Sequence, residues 1–318
     1  MKTLLRILMV LLLLPCLVAA GFVYLRPNRI VSKSEAIQKI AVPTSHFTIW
    51  RGASVHYTDE GSGIPVLMIH GLGGSFHNFD KLNALLPKDK YRCIRVDLPG
   101  FGLSDFPKVT EGENYVNDYR DYLNFMIDEL HLDSVYVIGN SMGGGIGWLM
   151  AGDHPDKVKR LVLLGAAGYD TKEVAHKLWM FKYSGLDKLF ERGAPLFFSR
   201  HNAEMCFCDK SKISQQAVFM NNISTNKEGN IPFLFQLARA NNFPDSALIQ
   251  RVACPTLIIW GRQDRIVPVE HAERFHRDIK NSSVLYFDSC GHVPMIEKST
   301  ETAAAVTRFF EKKRNADN

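Results

Sequence analysis

Cysteine is sparse in this 318-residue chain: six residues, at 16, 93, 206, 208, 254 and 290, form no disulfide framework. Cys206-x-Cys208 lacks a second pair at metal-site spacing, so no zinc site is expected. Internal repeats and low-complexity runs are absent. With 46% hydrophobic and 22% charged residues, the composition also excludes a disordered, collagen-like or wholly membrane-embedded protein. Acidic residues are missing altogether from the first 34 positions, which hold Lys2, Arg6, Arg26, Arg29 and Lys33. The formal charge is +5, from 38 basic and 33 acidic residues, and those five account for all of it. A body without net charge removes the main support for a nucleic-acid partner.

The basic residues flank one long apolar run, Ile7–Leu25. At about 1.5 Å per helical residue its nineteen residues reach about 28 Å, close to the hydrocarbon thickness of a bilayer. A cleaved signal peptide is the alternative, with Val18-Ala19-Ala20 as a small-residue cleavage site. Apolar residues continue past that site through Phe22, Val23, Tyr24 and Leu25, which favours an uncleaved membrane anchor over a secreted or periplasmic product. Cys16 follows proline, a poor context for lipidation. Basic residues at both ends leave the orientation undefined.

Residues 1–25 are thus expected as anchor or signal and 26–45 as a linker. Beyond them short β-rich runs alternate with helix-length segments. Phe47–Trp50 and Ser54–Tyr57, around Arg51-Gly52, predict an antiparallel hairpin. Pro65–Ile69, Tyr91–Val96, Ser134–Ile138, Leu161–Leu164, Thr256–Trp260 and Val284–Phe287 read as further strands, most of them buried. Helices are expected over 114–130, from the glycine-rich turn after Ile138 to about Gly152, and near 300–313. Alternation of this kind predicts an α/β fold with a mostly parallel sheet covered on both faces. Residues 169–250 lack a convincing core strand and are rich in aromatics and methionine, including Trp179, Phe197, Phe219, Phe233 and Phe235. A loop that long is improbable, so a helical cap is expected between core segments 46–168 and 251–318.

Gly139-Asn-Ser-Met-Gly143 follows a predicted strand and opens a predicted helix, the context in which G-x-S-x-G forms a nucleophile elbow. Serine is a poor nucleophile at neutral pH and needs a base oriented by an acid. Asp264, past the strand ending at Trp260, and His292, past the last strand, fill those roles in the chain order Ser, Asp, His. Asp288, four residues before His292, is the reserve acid. An oxyanion needs two N–H donors: Met142 supplies one, and Leu72 in His70-Gly-Leu-Gly-Gly74 the other.

Over about residues 46–315 the chain resembles α/β-hydrolase-fold serine hydrolases. More narrowly it is similar to bacterial family V lipases and membrane-anchored monoacylglycerol-lipase-like hydrolases. The matching stretches are His70-Gly-Leu-Gly-Gly, Asp97-Leu-Pro-Gly-Phe-Gly-Leu-Ser, Gly139-Asn-Ser-Met-Gly-Gly, Pro255-Thr-Leu-Ile-Ile-Trp-Gly-Arg-Gln-Asp and Gly291-His-Val-Pro-Met-Ile-Glu. The resemblance implies Ser141, Asp264 and His292 as the triad, with Leu72 and Met142 as oxyanion donors. It implies hydrolysis of a lipid ester such as an acylglycerol, with no metal or organic cofactor and no obligate protein partner. The rival implication is a C–C bond hydrolase of aromatic-ring meta-cleavage products, a group that shares Gly-Asn-Ser-Met-Gly-Gly; a carboxylesterase on short-chain esters is the other alternative. Ser at position 141 disfavours dehalogenases and Asp-type epoxide hydrolases.

Overall fold

The computed structural model describes residues 27–107, 115–169, 190–240 and 245–312, with a few single positions elsewhere. The apolar run Ile7–Leu25 lies almost wholly outside these, and among the described residues no helix is long and apolar enough to cross a membrane.

In chain order the elements are α1 (Lys33–Ile40), β1 (Ser45–Trp50), β2 (Ala53–Glu60), β3 (Ile64–Ile69), α2 (Asp80–Leu85), β4 (Tyr91–Val96), α3 (Tyr115–Glu129), β5 (Val135–Asn140), α4 (Met142–Asp153) and β6 (Val158–Leu164). After them come α5 (Leu196–Cys206), α6 (Gln215–Asn226), α7 (Asn230–Ala240), β7 (Thr256–Gly261), α8 (Glu270–Asp278), β8 (Ser282–Phe287), α9 (Pro294–Glu297) and α10 (Ser299–Glu311). The eight strands form one sheet in the order β1-β2-β4-β3-β5-β6-β7-β8. The first hairpin pairs antiparallel and joins β4 antiparallel, and every later pair is parallel.

The inner strands β3, β5, β6 and β7 read largely as apolar runs because both faces are covered, and the period of two sorts their side chains. Leu67, Ile69, Val137, Leu161, Leu163, Ile258 and Trp260 pack on one face with α3, α4 and α8, through Tyr122, Trp148 and Phe275. Val66, Met68, Ile138, Val162, Leu164, Leu257 and Ile259 point the other way, onto Leu82 of α2 and Val306 and Phe310 of α10.

The stretch expected as a linker is folded from its middle onward. Ser32 caps α1 by accepting from the Glu35 N–H. Ala36 and Ile40 are buried against Phe76, Leu103 and Ile223, so this helix packs on the body instead of spacing it from the N-terminal segment. Between β6 and β7 the described residues form α5, α6 and α7, as expected of an inserted helical segment. Much of its aromatic content is packing: Phe233 stacks on Phe106 with centroids 3.9 Å apart, and Phe190 meets Phe198 and Phe235. Trp179, Met180, Phe181 and Tyr183 lie outside the described residues.

Candidate active site

Four loops at the carboxyl ends of parallel strands carry the candidate residues. Leu72 follows β3, Ser141 follows β5, Asp264 follows β7 and His292 follows β8. Open α/β sheets bind ligands at this edge, because the loops there can vary without disturbing the core.

Ser141 has φ 54° and ψ −120°, a backbone state that non-glycine residues rarely hold and that costs about 1–3 kcal/mol. The turn is clamped on both sides. The Ser141 N–H donates to Leu164 O at 3.1 Å, while its carbonyl accepts from Gly145 and Ala167 at 3.0 and 2.9 Å. A side chain at Gly143 would put its Cβ 2.2 Å from Ile69 O, and one at Gly139 would meet Gly143 O at 2.4 Å. Glycine at both positions is therefore a steric requirement of the close turn. Met142 is the first residue of α4, so its N–H has no acceptor within the helix and sits at the positive end of the helix dipole.

His292 is buried, and its Nδ1–H donates to Asp264 Oδ2 at 2.8 Å. The other carboxylate oxygen of Asp264 accepts from the N–H groups of Ile266 and Val267 at 2.8 and 2.9 Å. With its three partners the acid is fully enclosed, and the imidazole is held with Nδ1 protonated and Nε2 free to accept. Asp288, the reserve acid, is instead 86% exposed and pairs with Arg262. The structure thus brings Asp264, and not Asp288, to His292.

Leu72 lies on the turn after β3, and its N–H has no acceptor among the described residues. The buried His70 sets that turn. Leu98 N–H donates to His70 Nε2 at 3.0 Å, so Nε2 is bare and Nδ1 carries the proton, which it donates to Gly71 O at 2.8 Å. Fixing the Gly71 carbonyl fixes the peptide whose other end is the Leu72 N–H. Gly74 N–H donates to the same carbonyl at 3.0 Å. The 4.0 Å approach of His70 Nε2 to Asp97 is consequently not an ion pair. Asp97 is satisfied by His56 Nδ1–H at 2.8 Å and by the N–H groups of Phe76 and Leu103.

Burial holds the His70 pKa below the ordinary 6.5, against the opposing charge of Asp97. A buried histidine kept neutral gives stability that is complete above about 6.5 and is lost as pH falls from there toward the folded value. Burial by itself would raise the Asp97 pKa, but His56 and the Leu103 N–H outweigh it and hold the group below 3.8. Urea titrations at stepped pH should therefore show two acid losses of stability, one beginning near 6.5 and a second below 3.8. A flat profile between pH 7 and 5 would contradict the neutral, buried His70.

Three residues drawn into the site were not assigned roles from sequence. Asn140 donates from Nδ2 to Leu164 O and to His292 O, at 2.9 and 3.1 Å, so the residue before Ser141 holds the backbone of His292. Asn221 of α6 donates to Gly73 O at 3.0 Å, bracing the Leu72 turn from the inserted helices. Glu297 is a buried carboxylate beside the His292 loop. Asn140 and Glu297 stand inside recognisable motifs, so their position was a usable signal; nothing local marks Asn221. A recess of about 680 Å³ between Asp105, Phe106, Lys227 and Phe233 includes neither Ser141 nor His292. Among the described residues no cluster of His, Cys, Asp or Glu could hold a metal ion.

A strained serine at a strand-to-helix turn, with a His–Asp pair on neighbouring strand ends, defines a hydrolase of the α/β type. A family model for the alpha/beta hydrolase fold matches residues 64–299, and the chain belongs to that family. Lipase 1 of Psychrobacter immobilis is 30% identical over 259 residues, covering 80% of this chain and 80% of that protein. The 2-hydroxy-6-oxo-6-phenylhexa-2,4-dienoate hydrolase of Comamonas testosteroni is 27% identical over 256 residues, 78% of this chain and 87% of that one. The solved structure of a membrane phospholipase A, a bacterial virulence factor, has a TM-score of 0.73 at 24% identity, covering 99% of this chain and 100% of that one, a likeness of fold.

Proposed function

We propose that the protein is a serine carboxylester hydrolase acting on lipid esters, of the lipase or monoacylglycerol-lipase kind, through an acyl-enzyme intermediate. The observation that carries this reading is the Asp264–His292 pair beside the Ser141 elbow. In the reaction Ser141 Oγ attacks the ester carbonyl while His292 Nε2 takes its proton. The Leu72 and Met142 N–H groups stabilise the tetrahedral oxyanion, each donor being worth about 3–4 kcal/mol in comparable sites. The alcohol leaves with the proton held by His292. Water, deprotonated by the same imidazole, then attacks the acyl-enzyme and releases the carboxylic acid.

Two observations favour a lipid over another ester. A relative of 30% identity is a lipase, and the apolar run Ile7–Leu25 would hold the enzyme at the membrane where such substrates partition. Processing after Ala20 would instead release it to the periplasm or medium. A second reading, hydrolysis of a C–C bond in an aromatic-ring meta-cleavage product, has support from the Comamonas relative.

Rates on p-nitrophenyl esters from acetyl to palmitoyl, on monoacylglycerol and on a 2-hydroxy-6-oxo-dienoate separate these readings. Turnover that rises with chain length, and includes monoacylglycerol, is the expected result. Activity confined to acetyl esters would remove the lipid assignment. Turnover of the dienoate without ester hydrolysis would replace it with the second reading.

A further inference from the structure

The loop that carries His292 is fastened to the inserted helices by a carboxylate. Glu297, the last residue of α9, is 4% exposed. Its Oε2 accepts from the N–H groups of Gly291 and Cys208, at 2.7 and 3.2 Å, and its Oε1 from Asp209 N–H at 2.6 Å. Gly291 immediately precedes His292, whereas Cys208 and Asp209 follow α5. The His292 N–H itself donates to Cys206 O, at the end of α5, at 2.7 Å. A Cβ on Gly291 would stand 2.3 Å from Cys206 O and 2.8 Å from Cys208 N, so the two backbones are in direct contact. Among the described residues Glu297 makes no ion pair, and three backbone donors compensate its charge. Removing any of these donors while the carboxylate stays buried would leave its charge under-compensated, which ties the two backbones to one arrangement.

We propose that Glu297 is a positioning residue for His292, coupling the placement of the base to the docking of α5. The proposal rests on His292 being the base of the reaction above. Glu297 does not touch the reacting atoms; it acts through the Gly291–His292 backbone. Lifting the carboxyl end of α5 from the body would break its bonds to Glu297 and the Cys206–His292 bond together and free the loop of the base. The segment from Cys206 to Asp209 therefore stays docked during turnover.

The test uses the full-length chain carrying Glu297→Gln, which keeps the side-chain shape but turns one acceptor into a donor facing an N–H. Expected is a fall in kcat on a p-nitrophenyl ester of about 100-fold, the scale of a small misplacement of a catalytic group, with KM within about twofold. Inactivation by a fluorophosphonate, which reads Ser141 activation without reference to substrate class, should slow by a similar factor. Glu297→Asp, with the charge kept but a shorter reach, should show the same split to a smaller degree, and it serves if the Gln variant does not fold. Wild-type rates in a folded variant, or a rise in KM or a lower Tm with kcat intact, would overturn the proposal. A wild type that reacts with no fluorophosphonate would instead overturn the hydrolase reading, a failure visible before any variant is compared.

Discussion

Ser141→Ala is expected to abolish covalent labelling by a fluorophosphonate and to lower kcat by about 10⁶-fold, the scale found when a nucleophile that works as a unit with its base is removed. A residual rate above that of water should survive, because the Leu72 and Met142 N–H groups would still polarise a bound ester. The same position offers a second readout that activity alone does not. At φ 54° and ψ −120° alanine keeps the strain that serine bears, whereas glycine does not. Ser141→Gly should be as inactive as Ser141→Ala yet more stable by about 1 kcal/mol, the relief of strain less the entropy that glycine adds to the unfolded chain. Denaturant titration of the two variants gives that difference. Undiminished labelling of Ser141→Ala would remove Ser141 as the nucleophile, and equal stability would remove the strain argument.

That strain also shows why so much of the site was legible in the sequence. A turn too tight for side chains at positions 139 and 143 leaves a pattern of glycines, and a strand buried on both faces leaves an apolar run that ends where its loop begins. Ser141 and Asp264 could be placed from β5 and β7, which are such runs, and His292 from the short apolar run Val284–Phe287 of the partly exposed edge strand β8. What was not legible depends on contacts distant along the chain. Glu297 meets Cys208 and Asp209 across 89 and 88 residues, and Asn221 reaches Gly73 across 148, with no local pattern at either end of that contact. Helix α1 escaped notice for a different reason. It is eight residues long, and only Ala36 and Ile40 are buried, too few to show a helical period against Lys33, Glu35 and Lys39.

The residues flanking the proposed triad divide the work of holding it. His70 and Asn221 brace the Leu72 turn from opposite sides, one from the sheet and one from the insertion. Asn140 and Glu297 do the same for the His292 loop. The inserted helices thus contribute to the frame of the site; among the described residues Phe190, Phe198 and Phe235 pack on one another, and Phe233 forms the seam with Phe101 and Phe106.

Asp264→Asn should cost about 10⁴-fold in kcat while leaving the fold and KM nearly intact, the loss expected when the orienting acid can no longer fix the imidazole tautomer. The structure supplies the reason. The N–H groups of Ile266 and Val267 both point at Oδ1, so the asparagine carbonyl oxygen must occupy that position. Its NH₂ group then faces His292 Nδ1 and donates where the carboxylate accepted. Nδ1 becomes an acceptor, the ring proton moves to Nε2, and the base is left with a proton where it needs a lone pair. Raising the pH cannot restore activity, because the neutral ring is already in the wrong tautomer. A rate still depressed across the pH range, with fluorophosphonate labelling slowed in proportion, is the expected profile. Near-wild-type turnover would instead assign the acid to another carboxylate. Asp288, exposed and paired with Arg262, would have to turn inward to take it, and an Asp264→Asn, Asp288→Asn double variant would show the additional loss.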